Sequence, residues 1–219
     1  MAEDSAFFKK LQNHMVEHQL KARGIKDSRI LSAMGAIPRH LFVPEPLKEQ
    51  AYEDHPLAIG YGQTISQPYI VARMAEASLI TPSCKLLEIG TGSGYNAAVL
   101  SELAKVVYTI ERIEPLAEDA KSHLKEIQKS NVFVFLGDGS LGLIDKAPFD
   151  VIIVTAASPE APKSLLNQLA KGGRLVIPVG DALTQKLLRY TKKAEGDFEV
   201  AVLDFVRFVP LIGKEGWTL

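Results

Sequence analysis

The sequence has little of what marks secreted, membrane-spanning and nucleic-acid-binding proteins. Its 219 residues include one cysteine, Cys84, which excludes an internal disulfide and is typical of a reducing compartment. No apolar run approaches the roughly 20 residues that a membrane-spanning helix needs, and the acidic start does not resemble a signal peptide. The net charge of −1 provides no general positive field for nucleic acid. We therefore expect a cytoplasmic protein that binds neither membranes nor nucleic acid.

The composition that is present, 47% hydrophobic and 23% charged, is ordinary for a globular protein. Residues 1–80 are expected to form an extension of helices and loops, and residues 81–219 an α/β core, within one structural domain overall. The extension is predicted to be helical over residues 5–35, with Gly24 as a stop, and irregular over residues 37–67. A further helix is predicted to begin near Pro68.

From Lys85 onward, short runs of Val, Ile and Leu alternate with helical stretches. The predicted strands are Lys85–Ile89, Val106–Ile110, Val132–Leu136, Val151–Val154 and Leu175–Val179, and the helices between them are Asn96–Ala104, Leu116–Lys129 and Ala161–Leu169. This alternation predicts a Rossmann-like, doubly wound, mostly parallel sheet with helices on both faces. Two last strands, near Gln185–Thr191 and Val200–Phe208, flank a hairpin at residues 195–197, so one antiparallel strand is expected near the C-terminus.

A glycine-rich turn follows the first predicted strand of the core. Gly90, Gly92 and Gly94 have the spacing G-x-G-x-G, and Glu88 lies on the strand before them. Glycines allow positive φ and let a ligand approach the backbone without a Cβ in between. A dinucleotide site of the G-x-G-x-x-G type would have its third glycine at position 95, where this chain has Tyr95. A tight turn without a ligand is the alternative.

Two carboxylates follow the next two strands. Glu111, 21 residues after Gly90, is placed to accept both hydrogen bonds from a ribose diol. Asp138 and Gly139 follow the third strand, where they would contact an adenine. For Glu111 the alternative is a solvated charge paired with Arg112, and for Asp138 it is a turn that binds no ligand. Carboxyl ends of parallel strands meet at one sheet edge, so these residues and the glycine turn predict one nucleoside site.

The polar loop upstream is more specific still. Residues 60–68 have the sequence GYGQTISQP. Together with the glycine turn, the segment 137–139 and the tail 208–211, this loop resembles the protein-L-isoaspartate (D-aspartate) O-methyltransferases, a class I S-adenosylmethionine-dependent family. The segments 37–44, 149–157 and 172–180 match that family too, so the resemblance covers about residues 8–213.

The resemblance implies an activity and its site residues. Members methylate the free α-carboxylate of L-isoaspartyl residues in damaged proteins, with S-adenosylmethionine as donor, no metal, and S-adenosylhomocysteine as product. It implies Ser66 as the catalytic residue. Separately, we expect a monomer. The implied cofactor contacts are Thr64, Ser66, Glu88, Gly90, Gly92, Gly94, Glu111, Asp138 and Gly139. The implied substrate contacts are Ile65, Val209 and Pro210.

The chemistry suits a site without a catalytic base. A carboxylate with a pKa of about 4 is already ionised at neutral pH, so alignment and exclusion of water are what the protein must supply. Our hypothesis is that Ser66 orients one carboxylate oxygen by a hydrogen bond and is not a nucleophile. A helix-capping role for Ser66 is the structural alternative.

One further motif and three rival functions are compatible with parts of the sequence. His14, Glu17 and His18 match H-x-x-E-H, but no third ligand is apparent, so a solvated helix face is favoured. The rival functions are a methyltransferase with another acceptor, a nicotinamide-dependent oxidoreductase, which Tyr95 argues against, and a scaffold with a vestigial pocket.

Overall fold

The computed structural model of the chain describes residues 2–194 and 196–218. Its α-helices are α1 Ala2–His14, α2 Ser28–Ala36, α3 Pro68–Ala77, α4 Tyr95–Ser101, α5 Glu114–Glu126 and α6 Lys163–Asn167. Its strands are β1 Leu57–Gly60, β2 Gln63–Ile65, β3 Lys85–Ile89, β4 Val106–Glu111, β5 Val132–Leu136, β6 Phe149–Val154, β7 Leu169–Gly180, β8 Gln185–Ala194 and β9 Asp197–Val206. None of the helices in these described ranges is both long and apolar enough to span a bilayer.

Seven strands form one sheet in the order β5-β4-β3-β6-β7-β8-β9. The pairs from β5 to β7 are parallel, whereas β8 runs antiparallel to both of its neighbours. The chain builds outward from β3 to β5 and then returns to the other side of β3 with β6, so the topological switch point lies between β3 and β6. This confirms the predicted mostly parallel, Rossmann-like sheet with one antiparallel strand near the C-terminus.

The central strands are buried on both faces, which is why they are continuous apolar runs. Leu86 packs in a cluster with residues of α1 to α5, whereas Leu87, one position on, packs in a second cluster with Leu165 of α6. Alternate side chains of a strand point to opposite faces. Helices therefore cover both faces of the sheet, as predicted.

The N-terminal residues join the first of these clusters. Helix α1 continues as a π-helical segment, Met15–Leu20, and a 3-10 turn that ends at Gly24 with φ of 94°. This left-handed residue confirms the predicted stop at Gly24. Met15 and Leu20 are fully buried in the cluster that also contains Leu86. The division of the chain near residue 80 stays a prediction.

Most elements differ from the sequence expectation by a few residues at their ends, and three differ in ways that bear on the site. The region predicted to be irregular contains the β1–β2 hairpin, whose turn has Tyr61 at φ of 52° between two glycines with positive φ. Helix α6 starts only after Pro162 and is shorter than predicted. Strand β7 begins at Leu169, because its pairing with β6 includes a register shift that carries it past Gly172 and Gly173.

Candidate functional site

A small cleft opens at the carboxyl ends of β3 and β4, at the switch point. It is lined by Gln63, Thr64, Ile89, Gly90, Gly92, Ile110, Glu111, Arg112, Gly139, Thr155, Ala156 and residues 209–212. The structure thus brings together five of the predicted cofactor residues: Thr64, Gly90, Gly92, Glu111 and Gly139. These residues come from four segments that are far apart in sequence and meet because parallel strands end at one edge.

The glycine turn packs against the end of β6. Gly90 has φ of 94°, and a Cβ placed on it would lie 2.4 Å from the Thr155 hydroxyl oxygen. That hydroxyl donates to the carbonyls of Ile89, at 3.0 Å, and Gly90, at 2.8 Å. Both the conformation and the space therefore require glycine at position 90. The result is bare backbone facing the small cleft.

Glu111 is held rigidly at the end of β4. Its Oε1 accepts from the N–H groups of Arg112, at 2.9 Å, and Ile113, at 3.0 Å, and its Oε2 accepts from Gly92 N–H at 2.9 Å. The residue is 6% exposed and lines the small cleft. Because a carboxylate has about four acceptor positions, Oε2 keeps one for a ligand. Glu111 thus binds the glycine turn through Gly92 and keeps one acceptor position for a ligand in the cleft.

A large cleft of about 710 Å³ adjoins the small one. Its lining is Pro56, Thr64, Ser66, Gln67, Ile70, Thr155, residues 183–185 and residues 205–209. Three residues, Thr64, Thr155 and Val209, line both clefts, so the two spaces meet there. Two ligands, one in each cleft, would therefore come closest to each other beside these three side chains.

Ser66 lines the large cleft and lies in the loop between β2 and α3. It is half-buried and also lines a small recess together with Gly90 and Thr155. Helix α3 begins at Pro68 with Gln67 as its N-cap, and no side chain makes a capping hydrogen bond. Ser66 therefore does not cap this helix, and its hydroxyl is not committed to that role.

The three predicted substrate residues lie in different surroundings. The side chain of Ile65 is 5% exposed and belongs to the hydrophobic core. Val209 lines both clefts, and its carbonyl accepts from Ala157 N–H at 2.8 Å. Pro210 is exposed beside the small cleft and has no N–H to donate. The structure therefore brings Val209, but not the Ile65 side chain, to the junction of the clefts.

Glu88 lies behind the glycine turn and lines neither cleft. Its carboxylate accepts from Asn96 Nδ2 at 2.7 Å and from the Thr109 hydroxyl at 2.5 Å. The Thr109 hydroxyl is 2.6 Å from that of Thr91, in the turn itself. Burial raises the pKa of Glu88 to about 7, against the opposing effect of these hydrogen bonds. Glu88 is thus placed to hold the turn through Thr109 and Thr91.

Asp138 and Gly94 also lie outside the two clefts. The Asp138 carboxylate accepts from the Ser140 N–H and hydroxyl and from Lys214 N–H, at 2.7–2.9 Å. Burial raises the pKa of Asp138, but the hydrogen bonds from Lys214 and Ser140 outweigh this and lower it below its usual value. A Cβ on Gly94 would meet Ala120 of α5 at 3.2 Å, so this glycine serves helix packing.

The raised pKa of Glu88 predicts a pH-dependent stability. A carboxyl whose pKa rises from 4.5 to about 7 on folding stabilises the protein fully below pH 4.5, and this contribution is lost as pH rises through 7. We expect wild type to lose up to about 3 kcal/mol of unfolding free energy relative to Glu88→Gln over this range. Urea unfolding between pH 5 and pH 8 measures it. Glu126→Gln, at an exposed position on α5, should track wild type, and a pH-independent difference for Glu88→Gln would contradict the prediction.

Sequence reasoning missed two residues of the site. Thr155 follows β6 directly and lines both clefts, a position that the strand prediction alone could have singled out. Arg207 is exposed and is the charged residue in the lining of the large cleft. Among residues 2–194 and 196–218, no three His, Cys, Asp or Glu side chains are grouped to hold a metal ion.

Comparisons with known proteins agree with this geometry. A family model described as protein-L-isoaspartate(D-aspartate) O-methyltransferase matches residues 10–216. A protein-L-isoaspartate O-methyltransferase of Protochlamydia amoebophila is 57% identical over 204 residues, 93% of this chain and 97% of that protein. One of Syntrophobacter fumaroxidans is 55% identical over 210 residues, 96% of this chain and 98% of that protein.

Solved structures extend the agreement to the fold. One named protein-L-isoaspartate O-methyltransferase has a TM-score of 0.81 at 31% identity, covering 95% of this chain and 67% of that one. A Plasmodium falciparum protein described as the same type of enzyme, in complex with S-adenosyl-L-homocysteine, has a TM-score of 0.80 at 26% identity, covering 92% and 98%. This chain therefore belongs to the protein-L-isoaspartate(D-aspartate) O-methyltransferase family.

Proposed function

We propose that this chain is a repair enzyme that transfers a methyl group from S-adenosylmethionine to the α-carboxylate of L-isoaspartyl residues in damaged proteins. The products are the methyl ester and S-adenosylhomocysteine. The observation that carries the proposal is the pair of clefts that meet at Thr64, Thr155 and Val209, one with a nucleoside-type lining and one open to a polypeptide. Family membership supports the same activity.

The lining of the small cleft suits the nucleoside part of the donor. Gly90, Gly92 and Gly139 offer backbone without side chains, and Cβ atoms at Gly90 and Gly139 would each lie 2.4 Å from a neighbouring side chain. Glu111 would accept a hydrogen bond from the ribose with its remaining Oε2 position. When bound, S-adenosylmethionine supplies a methyl group already activated by a sulfonium. The Plasmodium relative was solved with the demethylated product of such a donor.

The large cleft fits the acceptor. We propose that the Ser66 hydroxyl donates to one oxygen of the isoaspartyl carboxylate and that Thr64 lies beside the reacting methyl group. Since the carboxylate is ionised at neutral pH, no base is needed. The rate then depends on how the reacting groups are oriented and on the exclusion of water where the two clefts meet. Val209 and Pro210 would contact the peptide, whereas Ile65 would support the loop from the core.

Selectivity for isoaspartate follows from its connectivity. The β-linkage adds one carbon to the main chain and frees the α-carboxylate. A cleft that holds peptide backbone beside Val209 can therefore distinguish it from ordinary aspartate. Arg207, the cation of the cleft lining, would favour acidic acceptors.

Three predicted cofactor residues take supporting roles in this proposal. Glu88 would act through Thr109 and Thr91, Asp138 through the C-terminal segment at Lys214, and Gly94 through the packing of α5. We further propose a monomer that acts in the cytoplasm and binds neither membranes nor nucleic acid.

The test of this function uses two synthetic peptides, one with L-isoaspartate and one with normal aspartate at the same position. We expect methyl transfer to the first and none to the second, measured with radiolabelled donor. Activity on neither, with S-adenosylhomocysteine bound in calorimetry, would defeat the repair function but leave a methyltransferase. Tighter binding of NAD than of S-adenosylhomocysteine would favour the oxidoreductase instead.

Ser66→Ala tests the orienting hydroxyl. Because loss of the orienting hydrogen bond misaligns the carboxylate, and displacements of about 1 Å reduce rates about 100-fold, kcat should fall about 10- to 100-fold with little change in S-adenosylhomocysteine affinity. Ser32→Ala removes an exposed hydroxyl on α2 and should behave as wild type. Undiminished turnover of Ser66→Ala would remove Ser66 from the mechanism.

A further inference from the structure

Arg39 is a buried cation without an acidic partner. Its side chain is 0% exposed in the 3-10 turn Arg39–Phe42, and no carboxylate of the described residues forms an ion pair with it. Burial lowers its pKa to about 10, so it is still charged at neutral pH. Taking a charge out of water costs several kcal/mol, and apolar replacements of buried ions are often neutral or stabilising. Stability alone therefore does not account for an arginine at this position.

The contacts of Arg39 join three segments around the active site. Its Nε donates to the Ala51 carbonyl at 2.6 Å, and its Nη2 donates to the Ser66 carbonyl at 2.8 Å. The guanidinium carbon lies 4.8 Å from the ring centroid of Tyr95, which directly follows Gly94. Nη1 is buried and has no partner among the described residues. One side chain thus contacts the Ser66 loop and the residue after the glycine turn.

We propose that Arg39 is a positioning residue that sets the distance between Ser66 and the glycine turn, and this inference rests on the methyl-transfer function proposed above. A planar guanidinium can donate in two fixed directions while its face rests on an aromatic ring. The Ser66 carbonyl is thereby held by a residue that lines neither cleft. Methyl transfer needs in-line alignment, and displacements of about 1 Å in such sites reduce rates about 100-fold.

The test separates positioning from mere structural support. Arg39→Met keeps the volume and removes the donors, and Arg39→Lys keeps the charge but loses the two-pronged geometry. We expect Arg39→Met to fold, to bind S-adenosylhomocysteine within about threefold of wild type, and to lose about 100-fold in kcat per folded molecule. Arg39→Lys should recover part of this, to about tenfold below wild type. Amide hydrogen exchange over residues 64–67 should accelerate about tenfold in Arg39→Met.

Arg29→Met is the matched control, because Arg29 is an exposed arginine of α2 paired with Asp27. It should leave kcat and exchange unchanged. Unchanged kcat and exchange in Arg39→Met would overturn the inference, as would equal losses of kcat and S-adenosylhomocysteine affinity, or full activity of Arg39→Lys. If Arg39→Met does not fold, wild-type exchange in Arg39→Lys overturns it as well. A wild type inactive on isoaspartyl peptide defeats the proposed function, while hydrogen exchange still decides the role of Arg39.

Discussion

Gly90→Ala is expected to weaken S-adenosylhomocysteine binding by about 100-fold or more. The new Cβ would lie 2.4 Å from the Thr155 hydroxyl oxygen, on a residue whose φ is 94°. L-residues rarely adopt such a backbone, so the turn must change shape as well as move Thr155. Since the turn and Thr155 both line the small cleft, either response deforms it. Calorimetric titration at a temperature where both proteins are folded measures the effect.

A control variant and a rescue variant separate the steric clash with Thr155 from the backbone strain at position 90. Gly35→Ala, in helix α2, would place its Cβ 3.7 Å from Val16, an ordinary contact, and should leave binding unchanged. Adding Thr155→Ala to Gly90→Ala removes the clash but not the backbone strain, so it should restore binding only in part. Wild-type affinity in Gly90→Ala would show that the turn does not contact the donor.

Glu111→Gln is expected to weaken S-adenosylhomocysteine binding by about 100-fold. An amide can keep the two bonds from Arg112 and Ile113, but its NH₂ group then faces the Gly92 N–H and the ribose hydroxyl position. The loss of a charged acceptor and the opposition of two donors together cost about 3 kcal/mol. The weaker binding should appear as a raised KM for S-adenosylmethionine.

Glu126→Gln serves as the control for this prediction too. Glu126 is an exposed glutamate on α5, so the same chemical change there removes a charge without touching the clefts. Its KM should equal that of wild type. If Glu111→Gln kept the wild-type KM, the carboxylate would have a purely structural role in holding Arg112 and Ile113.

How much of this site is predictable depends on the sequence distance of the contacts. Gly90, Glu111 and Gly139 are predictable because each lies at or just after the end of a strand whose apolar composition is visible in the sequence. The Arg39–Ser66 contact spans 27 residues between irregular segments. The Asp138–Lys214 contact spans 76 residues. Neither follows from periodicity, because tertiary packing alone determines which loops meet.

Local sequence preferences also failed to predict two features, the β1–β2 hairpin and the full length of β7. The β1–β2 hairpin was missed because Tyr61, a bulky residue with positive φ, occupies a turn position that sequence preferences assign to glycine or asparagine. Strand β7 was predicted too short because only Leu175–Val179 form an apolar run, and Gly172 and Gly173 before it are not typical of strands. In both cases pairing with a neighbouring strand outweighed the local preference.

Because β8 reverses direction, the number of strands after β7 determines at which edge of the sheet the chain ends. Strands β3 to β7 all finish at the edge where the clefts open, β8 travels away from it, and β9 comes back. Two added strands, an even number, therefore bring the chain after Val206 to the edge where the clefts open, and there Val209 is one of the residues that line both clefts. With one strand or three after β7, the same tail would leave the sheet at the opposite edge, where the parallel strands begin, a full strand length from Ser66.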